Sequence, residues 1–203
     1  MDFQQILDTL KRFFAGFSDR SNRREQRTDT LQQNKGLPSF SKFQIPLEGS
    51  WHNSGGFDPT GKGSVGRPHD GVDLRQPGGS VIHPIAPGKV KQVYSDPKGG
   101  NAVVVEHDRG YSSYYAHCGT ILVHPGQIVD FGTTLATIGT SGNAKDFPHL
   151  HLQIWHNGSL IDPGSILPIP AYTPFNAAQE KLWLPGAKAV AQNWNIQKHL
   201  NNA

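Results

Sequence analysis

Glycine and proline interrupt the chain so often between residues 43 and 168 that a long helix does not fit there. The 203 residues include 23 Gly and 15 Pro, and the hydrophobic fraction is only 35%. Between these breakers lie short runs rich in β-branched and aromatic residues: "GKVKQVYS", "NAVVVEH", "YSSYYAH", "TTLATIG" and "HLHLQIW". Several alternate with period two, as half-buried antiparallel strands do. Residues 43–168 are therefore expected to form one all-β domain.

The flanks have a different texture. In residues 1–18, Phe3, Ile6, Leu7, Leu10, Phe13, Phe14 and Phe17 recur at helical spacing. This predicts an amphipathic helix that packs on its own domain or a partner, or docks on a membrane surface. Residues 19–42 are polar and read as a linker. Residues 169–203 form a C-terminal tail that opens with prolines and is expected to be partly helical despite Pro185.

A formal charge of +3 and a pI of 9.0 suit an anionic surface such as a cell wall, but are too slight to argue for nucleic acid. The single Cys118 excludes an internal disulfide and a cysteine metal cluster. There is no transmembrane run of about 20 apolar residues. The opening "MDFQQILDTLKRFF" does not read as a secretory signal.

Ten histidines are the one compositional excess that asks for a chemical explanation. In "PHLHLQIW", strand alternation puts His149, His151 and Gln153 on one face, and Leu150, Leu152 and Ile154 on the other. Two such histidines can both bind zinc, can be one ligand and one general base, or can be a plain structural pair. In "PHDGVDLRQPGG", His69 and Asp73 stand four apart, and Gly71 with Val72 argues against a helix. His69 then ends a loop and Asp73 enters a strand. A catalytic zinc takes three protein ligands and keeps a position open for water. Four candidates for three places leave one group free to move protons, which suits a metallohydrolase.

The segments "HDGVDL", "GGSVIHPIAPGKV", "NAVVVEHDRGYSSYYAH", "VHPGQIVDFGTTLATIGTSG" and "PHLHLQIWHNGSLIDP" follow one another in an order that resembles the lysostaphin-like (LytM-type) zinc endopeptidases of bacterial peptidoglycan. The resemblance covers roughly residues 65–163. It implies a small antiparallel β-sheet or sandwich core with a groove, and one Zn2+ per chain. It makes His69, Asp73 and His151 the metal ligands. It makes His149 the base that activates water, and His117 a second catalytic histidine that stabilises the oxyanion or assists proton transfer. The substrate it implies is the peptide stems of peptidoglycan.

Departures from the family pattern matter too. The stretch "WHNSGGFDPTGKGSVGRPH" matches poorly and lacks the tyrosine that some members bring into the site. Cys118 stands where leucine is usual, with packing consequences only. His83 replaces a small residue and is a candidate to approach the groove. His52, His107, His124, His156 and His199 read as ordinary. A wall substrate without an export signal points to a bacteriophage lysin or a wall-digesting part of a virion, made in the cytoplasm and acting in the periplasm or at the wall. The flanking arms would then dock on a virion or other protein partner. The alternatives are a non-catalytic regulator of other wall hydrolases, a wall-binding module, or an exported bacteriocin or effector.

Overall fold

The computed structural model describes residues 36–62, 67–145 and 147–172. The expected helix at 1–18, most of the linker and the tail beyond Tyr172 lie outside the described residues. The strands are β1 (His52–Gly55), β2 (Val72–Arg75), β3 (Val81–Ile82), β4 (Gly88–Asp96), β5 (Gly100–His107), β6 (Tyr111–Ile121), β7 (Ile128–Val129), β8 (Ala136–Ile138), β9 (His149–His156) and β10 (Ser159–Ile161). They form one antiparallel sheet in the order β1-β2-β9-β6-β5-β4-β7, with β10 on β9, β8 on β6 and β3 on β8. Helical structure among the described residues is limited to three short 3-10 turns. The all-β expectation holds, and each of the quoted runs contains a strand.

Strand β9 shows how sequence becomes packing. Leu150, Leu152 and Ile154 are fully buried, and the alternate residues face the other way. They join Val72, Leu74, Val103, Val105 and Tyr115 in the main core. Each buried leucine or isoleucine contributes about 1.5–3 kcal/mol, so the strand is clamped from behind. Its partner β2 is held in a fixed register: Val72 opposite Leu152, Asp73 opposite His151, Leu74 opposite Leu150, and Arg75 opposite His149. A one-residue slip would turn Asp73 into the core. Just before β2, a Cβ on Gly71 would collide with the Leu152 carbonyl oxygen. Only glycine lets the chain after His69 come this close to β9.

Strand β1 was not legible in "WHNSGG". Asparagine, serine and glycine are poor strand formers, and pairing to β2 imposes the conformation instead. His83 does not approach the groove, which corrects that expectation. Its Nδ1–H donates to the Thr133 carbonyl (2.9 Å) and its Nε2 meets Glu48 (3.1 Å). Cys118 is buried in the core, and burial pushes its thiol up to about 12, so it is an inert packing group.

His107 ends β5 and is 1% exposed. Its Nδ1–H donates to the Pro87 carbonyl (3.0 Å), which leaves Nε2 to accept the Ser113 hydroxyl (2.7 Å). Ser113 Oγ lies 2.9 Å from the Tyr115 hydroxyl, which accepts the Ile85 amide at 2.8 Å. The network closes around a neutral imidazole, and burial lowers its pKa to about 4.

Two outcomes are expected. Gly71→Ala should destabilise the fold by about 1–3 kcal/mol, measured by urea unfolding. The His107 contribution should be complete above pH 6.5 and disappear as pH falls toward 4, because the unfolded chain takes up a proton that the buried ring refuses. Over that window wild type should lose stability relative to His107→Leu at up to about 1.4 kcal/mol per pH unit. Parallel stability curves for the two proteins would show that His107 does not titrate this way.

Candidate functional site

The polar face of the sheet carries a groove of about 1050 Å³. Near its middle three elements bring His69, Asp73 and His151 together. His69 precedes β2 and is fixed by an isolated bridge to Asp58. Asp73 projects from β2, and His151 from the facing position of β9. A Cβ on Gly55 would lie 2.5 Å from Asp73 Oδ2, so the bare backbone of β1 makes room for the carboxylate.

The donor atoms form a small triangle. His69 Nε2 lies 3.0 Å from Asp73 Oδ1 and 3.2 Å from His151 Nδ1, and His151 Nδ1 lies 2.8 Å from Asp73 Oδ1. Four ligands arranged tetrahedrally at zinc bond lengths stand about 3.3 Å apart, so these three atoms fit one small divalent cation. The outer contacts fit as well. His69 Nδ1–H donates to the Gly56 carbonyl (2.7 Å), which leaves Nε2 to face the triangle. The Gln153 amide meets the far nitrogen of His151, Nε2, at 2.9 Å.

Electrostatics reflect this crowding. Burial raises the Asp73 carboxyl, but hydrogen bonds from His151 and His69 hold it well below the usual carboxylate range. Burial disfavours charge on His69, yet the Asp73 hydrogen bond and charge raise its pKa above the ordinary imidazole value.

His149 and His117 form a second group beside the first. Their ring centroids are 4.6 Å apart. His149 Nδ1–H donates to the Phe147 carbonyl (2.7 Å), and its Nε2 is 3.7 Å from Asp73 Oδ1. His117 Nδ1–H donates to the Ser141 carbonyl (2.9 Å). Both neutral rings therefore keep Nε2 as the acceptor. Burial lowers the pKa of both, to about 4 for His117, where the charge of His149 adds to the effect. His117 has φ of 59°, which is unusual outside glycine and strained. The sheet register shifts beside it, between Cys118 and Ile121. Such irregularities re-aim a side chain, here toward the Ser141 loop. That loop is tied down by Ser141 Oγ, which donates to the Cys118 carbonyl (2.8 Å).

The structure thus brings all the sequence-derived site residues into one groove and separates the two histidines of HxH. His151 joins the triangle, and His149 pairs with His117. Other groove residues were not singled out from the sequence. Tyr114 packs edge-on to His151 (6.4 Å), and Arg75 lies over the exposed Phe147 ring (5.2 Å). Period-two alternation from the HxH strand was a usable signal for Gln153. None pointed to Tyr172, which enters the groove from the C-terminal side, beside Gly56.

Comparison with known proteins gives a consistent result. Residues 67–163 match the model of peptidase family M23. The peptidoglycan DD-endopeptidase ShyB of Vibrio cholerae is 38% identical over 61% of this chain and 29% of its own length. The murein hydrolase activator NlpD of Escherichia coli is 32% identical over 64% of this chain and 32% of its own. The chain spans about a third of the length of these curated relatives. A solved zinc-containing peptidase from Vibrio cholerae is 34% identical, with a TM-score of 0.55 over 60% of this chain and 39% of that one. Sequence, sheet and histidine–aspartate site agree that residues 67–163 are a peptidase family M23 domain.

Proposed function

We propose that the chain is a zinc-dependent endopeptidase that cuts peptide cross-links of bacterial peptidoglycan. The observation that carries this reading is the donor triangle of His69, Asp73 and His151 with two further imidazoles beside it. The naming of ShyB as a peptidoglycan DD-endopeptidase supports the substrate class. His69, Asp73 and His151 would hold the metal. When bound, zinc supplies Lewis-acid polarisation of the scissile carbonyl and eases deprotonation of water.

The chain's own residues handle the proton. His149 is neutral near pH 7 because burial lowers its pKa, and its Nδ1–H is already committed to Phe147. Its Nε2 is thus the atom that accepts a proton from the attacking water. The buried His117 ring holds the same tautomer and stands close enough to share that proton and return it to the leaving amine. Gln153 Nε2 stands 2.9 Å from His151 Nε2, and a flip of this amide would let its oxygen accept Nε2–H and keep Nδ1 bare for the metal.

A second reading, an activator of other hydrolases, draws on the match to NlpD. The complete triangle favours the enzyme, since an activator has no need of it. For delivery, the apolar stripe at 1–18 supports docking on a partner, which we propose to be a bacteriophage particle, with the chain acting at the wall as a lysin or virion-associated protein. Deleting residues 1–40 without loss of infection or of binding to virion proteins would remove that part of the proposal.

The test of the function is metal content together with digestion of purified sacculi. About one zinc per chain and release of peptide fragments are expected. Stoichiometric zinc without cleavage of several wall types would favour the activator. His151→Ala should lose zinc. His149→Ala should keep zinc and lose about 10²–10⁴-fold in turnover. The opposite pattern would reverse the two roles.

A further inference from the structure

Beyond the histidines the groove contains aromatic rings that the proton chemistry does not use. On β9 the same-face residues after His151 are Gln153 and Trp155. Trp155 lines the groove with Ser112, Tyr114, Gln153 and Tyr94. Tyr114 meets the Trp155 ring edge-on at 6.4 Å and stacks on Tyr94 at 6.2 Å. These rings form a small cluster with Ala102, Val104 and Ala116, separate from the main core. Trp155 is half-buried, braced by Tyr114 on one side and open to the groove on another. An aromatic face edged by an amide and a hydroxyl suits a ligand with one apolar face and a polar rim. A pyranose ring has that chemistry.

Spacing points the same way. At about 3.4 Å per residue, Trp155 lies roughly 13 Å along β9 from His151. In a directly cross-linked wall, four amino acids and a lactyl group separate the cleaved amide from the amino sugar that bears the stem, so a separation of roughly 13 Å lies within the reach of a stem that need not be fully extended.

We propose that Trp155, flanked by Gln153 and Ser112, is a saccharide subsite that holds the N-acetylated amino sugar of the strand whose stem peptide occupies the metal site. This rests on the peptidoglycan reading. It adds that the groove recognises the glycan as well as the peptide.

The test compares one cross-linked peptide dimer with and without its disaccharide, using the full chain. Wild type should show kcat/KM about three- to ten-fold higher on the disaccharide form, mainly through KM. Trp155→Ala should bring that ratio to about one, and Trp155→Tyr should restore most of it. A wild-type ratio near one, or a Trp155→Ala variant that keeps the ratio while losing activity on both forms, would overturn the subsite and leave Trp155 a peptide contact or a structural residue. A direct measurement separates this from the parent reading. The free disaccharide should shift the Trp155 indole N–H resonance of wild type even if no dimer is cut, and the absence of any shift would also overturn the subsite.

Discussion

The groove depends on one half-buried carboxylate crowded by two imidazoles. Asp73 Oδ1, His69 Nε2 and His151 Nδ1 lie within 3.2 Å of one another. Three electron-rich atoms this close repel unless a cation sits among them. The metal-free protein meets that demand with protons. The raised pKa of His69 and the depressed pKa of Asp73 are two sides of one attraction, in which the carboxylate stays ionised and favours positive charge on the imidazole beside it. A divalent cation meets the same demand with more charge, and it must displace those protons to bind. The site is therefore built around charge density first, with ligand identity as its means.

Such a cluster persists only if the scaffold prevents it from relaxing apart. Leu150 and Leu152 on β9, with Val72 and Leu74 on β2, bury the opposite face of the same two strands. The hydrophobic core fixes the register, and the register puts Asp73 opposite His151. Gly71 and Gly55 contribute by lacking side chains, since atoms at either Cβ would invade the backbone of β9 or the carboxylate itself. Stability and function are divided between the two faces of one sheet. Leucines supply the stabilisation, and the polar residues between them are free to be arranged for chemistry.

How much of this was legible in the sequence follows from range. Strands with period-two alternation, such as β5 and β9, are local patterns and read directly. The four candidates His69, Asp73, His149 and His151 were legible because they sit in short motifs on elements that the core holds firmly, and the choice among them came from the family resemblance. Strand β1 was not, since "HNSG" has no strand character apart from its partner β2. His83 was open to a groove position when only sequence positions were compared, and its contacts decide the matter: it bonds to Thr133 and Glu48 and does not line the groove. The Ser113–Tyr115–His107 network and Tyr172 depend on contacts between distant segments, which leave no mark in local spacing. His107 in particular looked like an ordinary pre-turn residue, and burial alone makes it a pH-sensitive one.

The HxH pair shows what distance information adds to a motif. Two chemically identical side chains, two residues apart on one strand face, acquire different environments from the neighbours they meet. His151 faces Asp73 across the β2–β9 ladder, within hydrogen-bond reach of a carboxylate. One pleat earlier, His149 is already 3.7 Å from that oxygen, and its closest ring neighbour is His117. A carboxylate within hydrogen-bond reach suits a bound cation, whereas burial favours the neutral state of His149. The first environment suits a ligand and the second a base, which is the division of roles that the proposed function assigns to the two histidines. Two residues further along the same face, Gln153 braces His151, and beyond it Trp155 meets the groove with an aromatic face. One strand thus presents two imidazoles, an amide and an aromatic ring along the same face in steps set by the pleat.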